Sequence, residues 1–95
     1  MSDVLNKAIE ALSNRMPDGF DGTAKFDITG EGCIMVDENG VREGDDDADV
    51  TMIASAETFR GIIEGDVNPT MAFMSGRLKI EGNMGMAMKL GSALS

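Results

Sequence analysis

The residues that could do chemistry in this sequence are few and poorly placed for it. Histidine is absent altogether, which removes the usual general base near neutral pH and the commonest zinc ligand. The one cysteine, Cys33, falls in an alternating segment with no second thiol anywhere in the chain. Without an activating base or a resolving partner it reads as a buried or half-buried structural thiol. Carboxylates number 17, yet their spacing singles out no pair for acid–base work. The densest group is Asp45-Asp46-Asp47-Ala48-Asp49. A calcium loop starting at Asp45 would need glycine where Val50 stands and glutamate where Ala56 stands, so the group reads as a solvated turn. Gly30-Glu31-Gly32 is followed by Met35 where a dinucleotide fingerprint wants glycine, and no phosphate-binding Gly-Lys-Ser/Thr sequence occurs. These residues point away from an enzyme and call for no metal and no cofactor.

Methionine is the unusual residue. The chain has nine, and Met71, Met74, Met84, Met86 and Met88 crowd two short segments that flank one strand. An unbranched, flexible side chain specifies a rigid core poorly and suits a surface that adapts to varied apolar partners. Gly82, Gly85 and Gly91 around the last segment remove bulk and lower its helical stability. The pattern fits ordinary core as well as a greasy binding surface, and taken alone it does not separate them.

The elements that must position these side chains follow from periodicity. Leu5, Ala8, Ile9, Leu12 and Met16 form the apolar stripe of a helix over 3–16, which Ser2 or Asp3 caps and Pro17 ends. From Gly22 the period falls to two: Ala24, Phe26 and Ile28 alternate with Thr23, Lys25 and Asp27, the mark of a half-buried strand. A turn at 30–32 leads to a second strand, Cys33 to Val36, and Asn39-Gly40 marks another tight turn. Asp49 to Ala54 is a third strand, and the short connections suggest an antiparallel meander. Ser55 caps a helix carrying Phe59, Ile62 and Ile63 that stops near Gly65. Asn68 and Pro69 start a short helix that Gly76 ends. Leu78 and Ile80 alternate with Arg77, Lys79 and Glu81 in a final strand, and Asn83 caps a last helix with apolar positions Met84, Ala87, Met88, Leu90 and Leu94. The order α-β-β-β-α-α-β-α indicates an α+β domain with helices on one face of a mostly antiparallel sheet.

With 95 residues and 42% of them apolar, residues 1–95 suit one compact domain with a real core. No apolar run approaches the ~20 residues of a spanning helix, and the N-terminus lacks the features of a secretory signal. A single cysteine fits a reducing compartment, and the expected location is cytoplasmic. The net charge of −9 argues against nucleic acid, which is bound by neutralising phosphates. The charge is uneven. Residues 1–68 hold 5 basic and 16 acidic side chains, whereas residues 69–95 hold Arg77, Lys79 and Lys89 against Glu81. Residues 69–95 are therefore the part that could make transient contact with a membrane.

Gly76-Arg77-Leu78-Lys79-Ile80-Glu81-Gly82-Asn83-Met84-Gly85-Met86-Ala87-Met88-Lys89-Leu90 resembles the closing strand and helix of the sterol carrier protein type 2 family. Asp49-Val50-Thr51, Asn68-Pro69 and Ala72-Phe73-Met74 match that family's pattern in the same order. The resemblance implies a five-stranded sheet with helices on one face and an apolar tunnel for fatty-acyl chains, acyl-CoA, sterols or similar lipids. The fifth strand would then come from residues 20–30 or from a short piece near Val41. It also implies a tunnel lined by the helices at 55–64, 69–75 and 83–94 with the inward sheet face. Carried onto this chain, the lipid-binding residues would be Phe59, Ile63, Met71, Phe73, Met74, Met84, Met88 and Leu94, with no catalytic residue. The expected function is non-catalytic binding and transfer or presentation of a lipid. The alternative is an accessory protein that holds a prenylated quinone or other apolar intermediate for an enzyme complex, and a lipid-metabolising enzyme is a partner under either. The chain ends Ala93-Leu94-Ser95 rather than in a peroxisomal tripeptide, and it shows no thiolase or dehydrogenase segment.

A tunnel in so small a domain carries an energetic condition. An enclosed site of roughly 300 Å³, left empty at ~24 cal/mol per Å³, would cost about 7 kcal/mol, most of the stability of a small domain. The expectation is that the ligand-free form collapses around its methionines or keeps a guest.

Overall fold

A computed structural model describes residues 3–94; Ser2 and Ser95, invoked above as a cap and as the chain end, lie outside the described residues. The elements are α1 (Asp3–Arg15), β1 (Ala24–Thr29), β2 (Gly32–Asp37), β3 (Gly40–Glu43), β4 (Val50–Ser55), α2 (Ala56–Glu64), α3 (Pro69–Met74), β5 (Lys79–Gly82) and α4 (Met84–Leu94). The fifth strand is β3, the short piece around Val41. It escapes the periodicity because only Val41 among its four residues is a strand-forming apolar side chain.

The five strands form one sheet in the order β3-β2-β1-β4-β5. β1 with β2, β2 with β3, and β4 with β5 are antiparallel. β4 corrects the meander expected from the short connections: it pairs with β1 in parallel, from Ala24 opposite Val50 to Thr29 opposite Ser55. A parallel partner needs the chain to return to the end where it began, and residues 44–49 make that return. Gly44 N–H donates to the Cys33 carbonyl at 3.1 Å, Asp45 takes the Lys25 ammonium at 2.7 Å, and Asp49 N–H donates to the Thr23 carbonyl at 2.9 Å. The acidic run is thus a crossover over the outer face of the sheet as well as a solvated turn. It explains Met35, which points outward between Lys25 and Arg42 and is nevertheless fully buried. The same cover shapes the Cys33 thiol. Loss of hydration first, then the carboxylates of Asp27 and Asp45, push its pKa above the usual thiol value, which disfavours the reactive thiolate.

The inner face carries Ala24, Phe26, Ile28, Ile34, Val36, Val50, Met52 and Ala54, all buried. Helices close over it in sequence. α1 packs across β2 and β3, α2 over β1 and β4, and α4 over β4 and β5. Leu5, Leu12, Phe59, Ile62, Ala87, Leu90 and Leu94 complete the core from the helix side. Gly82, at φ 95°, turns the chain from β5 toward α4 so close to Asp49 that an added Cβ would lie 2.4 Å from its carbonyl oxygen. No helix among the described residues is long and apolar enough to cross a membrane.

Candidate functional site

The site lies where the helical layer fails to close. α1 and α2 run over neighbouring parts of the sheet, and the sequence puts small residues between them: Ala8 and Ala11 on α1 and Ala56 on α2. Packed helices normally approach to 8–10 Å, set by the side chains at the contact, and alanines facing Phe59 and Ile63 leave a gap. A cleft of about 510 Å³ results, lined by Val4, Lys7, Ala8 and Ala11 of α1, Ile28 of β1, and Ala56, Glu57, Phe59, Arg60, Ile63 and Glu64 of α2. That volume lies in the range of small-molecule sites, roughly 300–1,000 Å³. Ala8, Ala11, Ile28, Phe59 and Ile63 make an apolar floor, and exposed Lys7, Glu57, Arg60 and Glu64 make a charged rim.

Local chemistry holds α2 in place. The Ser55 hydroxyl caps it, accepting from the Thr58 amide at 3.2 Å, and Gly65 ends it at φ 85° with its N–H turned back to the last carbonyls. Phe59 sets its ring edge against Phe26, with centroids 5.4 Å apart and planes at 75°, a favoured aromatic geometry. α2 has no basic residue in its last turn; α1 supplies one instead. The Arg15 guanidinium donates to the Ile63 carbonyl at 2.6 Å, a cation at the negative end of the helix dipole. This bond ties the two helices at their C-terminal ends. On the rim, Arg60 pairs with Glu64 at 3.0 Å across one turn.

The residues named from the sequence divide among three places. Phe59 and Ile63 line the cleft. Leu94 is buried in the core. Met71, Phe73, Met74, Met84 and Met88 of α3 and α4 stand exposed on the surface. The α1 wall, Val4, Lys7, Ala8 and Ala11, was missed by sequence reasoning, whereas Ile28, Ala56 and Arg60 lie on the inward sheet face and the 55–64 helix that were expected to line the site, though they were not named individually. One signal for the α1 wall exists. Val4, Ala8 and Ala11 form a second apolar stripe beside the Leu5–Leu12 stripe, wider than the core contact of one short helix requires. The cleft is open at its charged rim, so water can wet it when it holds no guest. The penalty of an enclosed void therefore does not apply. A second groove, on the other side of α2 between Ser55, Gly61, Val67 and Arg77, is walled largely by Glu57, Glu64 and Asp66 and lacks an apolar floor.

The site is thus an apolar cleft between two of the four helices that cover a five-stranded mixed sheet, and comparison with known proteins says to which family such a domain belongs. Residues 5–95 match the SCP-2 sterol transfer family. The chain is 42% identical over 91 residues to hydroxysteroid dehydrogenase-like protein 2 of Bos taurus, a match that covers 95% of this chain and 21% of that protein. The chain thus spans about a fifth of the length of the curated relatives it matches. The solution structure of the sterol carrier protein domain 2 of Helicoverpa armigera superposes with a TM-score of 0.69 at 30% identity, covering 95% of this chain and 81% of that one. The same fold is seen, at 18% identity and a TM-score of 0.82, in Aedes aegypti sterol carrier protein 2 in complex with the C16 fatty acid palmitate, covering 100% of this chain and 97% of that one. It is seen again in the UbiJ-SCP2 ubiquinone synthesis protein, with 19% identity, a TM-score of 0.58, and 98% and 75% of the two chains covered. The chain belongs to the SCP-2 sterol transfer family.

Proposed function

We propose that this domain binds the apolar chain of a lipid-like molecule, fatty acyl, acyl-CoA, sterol or similar, in the α1–α2 cleft. It transfers or presents that molecule in the cytoplasm and catalyses no reaction on it. The observation that carries the reading is the floor of Ala8, Ala11, Ile28, Phe59 and Ile63 beneath an open space of about 510 Å³. Apolar surface left facing water costs ~25 cal/mol per Å², and a guest chain that covers the floor recovers it. Family membership and the palmitate held by a protein of the same fold support the same chemistry. Phe59 and Ile63 are the proposed contacts, beneath a rim in which Lys7 and Arg60 stand beside Glu57 and Glu64.

The test is displacement of a fluorescent fatty acid by unlabelled lipids, repeated on Ala11→Trp, which fills the cleft from a helix face. Wild-type protein should take up the probe in a saturable way, and A11W should lose at least tenfold in affinity while melting normally. Saturable uptake unchanged in A11W would move the guest elsewhere. No uptake of any lipid would end the carrier reading.

One observation favours a second reading, an accessory protein holding a prenylated quinone or similar intermediate for an enzyme complex: the shared fold of the UbiJ-SCP2 ubiquinone synthesis protein. The curated relatives, in which this domain is a small part of a longer dehydrogenase-like protein, likewise suit delivery of a guest to a lipid-metabolising enzyme. A carrier moves lipid between vesicles unaided, whereas an accessory protein requires its enzyme to do so.

A further inference from the structure

The rim of the α1–α2 cleft carries two cations and two carboxylates, Lys7 and Arg60 against Glu57 and Glu64, and the four are not equivalent. Arg60 and Glu64 lie one turn apart on α2 and pair at 3.0 Å, so they add a dipole to the rim and no net charge. Lys7 and Glu57 are exposed, and among the described residues neither forms an ion pair. They belong to opposite walls, Lys7 to α1 and Glu57 to the first turn of α2. The bond from Arg15 to the Ile63 carbonyl ties those walls at the other end. At ~1.5 Å per residue, Lys7 lies ~12 Å back from that tie along α1, and Glu57 ~9 Å back along α2. Both therefore sit toward the untied end of the cleft.

The two walls offer a guest different things. The Lys7 ammonium donates hydrogen bonds only, and the Glu57 carboxylate accepts only. A hydroxyl head answers both, its oxygen accepting from Lys7 and its O–H donating to Glu57. A carboxylate head answers one: it accepts from Lys7, has no proton for Glu57, and meets a like charge there. The phosphates of a coenzyme A ester fare worse, because they must also approach a chain of net charge −9. We propose that the cleft selects guests with an uncharged, hydroxyl-bearing head, such as a long-chain alcohol, a monoacylglycerol or a sterol, over free fatty acids and acyl-CoA. Lys7 and Glu57 are the residues that set the choice. The inference rests on the carrier reading and narrows it, since that reading requires only an apolar guest.

Displacement of a fluorescent fatty acid by palmitate, hexadecanol, cholesterol and palmitoyl-CoA tests this, read on wild type, Glu57→Gln, Lys7→Gln and the control Glu81→Gln. Wild type should bind a hydroxyl guest more tightly than palmitate, and palmitoyl-CoA least of the four. Whichever of hexadecanol and cholesterol displaces the probe at the lower concentration shows whether a chain or a ring system brings the hydroxyl, and either result upholds the proposal. The preference of any apolar site for the less charged guest cancels when the palmitate-to-hexadecanol affinity ratio is compared between variants. E57Q should shift that ratio roughly fivefold toward palmitate, and K7Q roughly fivefold toward hexadecanol, the effect of a unit charge ~4 Å away in water. E81Q removes a carboxylate from β5, outside the cleft lining, and should leave the ratio in place, which separates the local carboxylate from the total charge. The substituted side chains are exposed, so the variants should melt as wild type does. The proposal is overturned if palmitate or palmitoyl-CoA binds wild type more tightly than both hydroxyl guests. It is equally overturned if E57Q and K7Q shift the ratio in the same direction or not at all, or if E81Q shifts it as far as E57Q. Saturable binding with any of those patterns removes the head-group assignment and leaves the carrier reading standing; no saturable binding of any lipid ends both.

Discussion

The two ends of the helical layer use apolar residues to opposite effect. Between α1 and α2, alanines face Phe59 and Ile63 and the layer stays open, so apolar surface is turned inward around a space. Across α3 and α4, the core is completed by Ala72, Ala87, Leu90 and Leu94, and the long methionines have nowhere to go but outward. One region is short of side-chain volume and the other has an excess. The difference teaches that apolar composition alone does not locate a binding site; the volume available between packed elements does.

That comparison can be broken or sharpened by substitution. The largest effect should come from Phe59→Ala, which removes both the cleft floor and the edge contact with Phe26. A buried aromatic cut to alanine costs ~3–5 kcal/mol, visible in urea unfolding, and a loss under ~1 kcal/mol would mean that α2 is not packed as described. Next come two sites on α4. Leu90 is fully buried and Met88 is not, so Leu90→Ala should cost ~2–5 kcal/mol and Met88→Ala no more than ~0.5 kcal/mol. Similar losses at both positions would place Met88 inside and abolish the contrast between the two regions. A smaller effect is expected at the hinge of the cleft. Arg15→Met removes the bond to the Ile63 carbonyl, worth ~0.5–1.5 kcal/mol; because that bond ties α1 to α2, stopped-flow dilution should show faster release of a bound fatty acid. Unchanged release would show that the two helices do not part there.

The smallest effect belongs to the outer face, which neither region includes. The Lys25 hydrogen bond holds the Asp45 carboxyl below the usual carboxylate range and raises the Lys25 ammonium above its usual value. The sign follows from linkage. What Asp45 contributes is present above its unfolded pKa and is lost as pH falls through the lower folded value. What Lys25 contributes is present below its unfolded pKa and is lost as pH rises through the higher folded value. Asp45→Asn should scarcely move the melting temperature at neutral pH, since the pair is exposed on the carboxylate side. It should, however, speed alkylation of Cys33 by loosening the crossover above it. Alkylation as slow as in wild type would show that the crossover holds without this pair.

Much of the scaffold was legible because its determinants are local. The Ser55 cap and Gly65 stop of α2, the Asn68–Pro69 start of α3 and the alternation Ala24-Phe26-Ile28 each read from a few neighbouring residues, and each stands in the structure. The parallel pairing of β4 was not legible, since nothing within Val50–Ser55 says which strand it will lie beside. β3 was hidden by its shortness and its charge. For the candidate site, Phe59 and Ile63 were found as the apolar face of a helix. The α1 wall was missed because alanines signal a site only by the volume they leave unfilled.

By itself the sequence determined the element types and their ends, the acidic body with its acid-poor final third, and the family signature in residues 76–90. Those properties depend on residues adjacent along the chain or on composition. Only the tertiary structure decided that α1 and α2 leave a cleft, that the acidic run crosses the sheet and seals Met35, and that the methionines of α3 and α4 face outward. Each of those outcomes depends on which surfaces distant segments present to one another, and on how much volume remains once they have met.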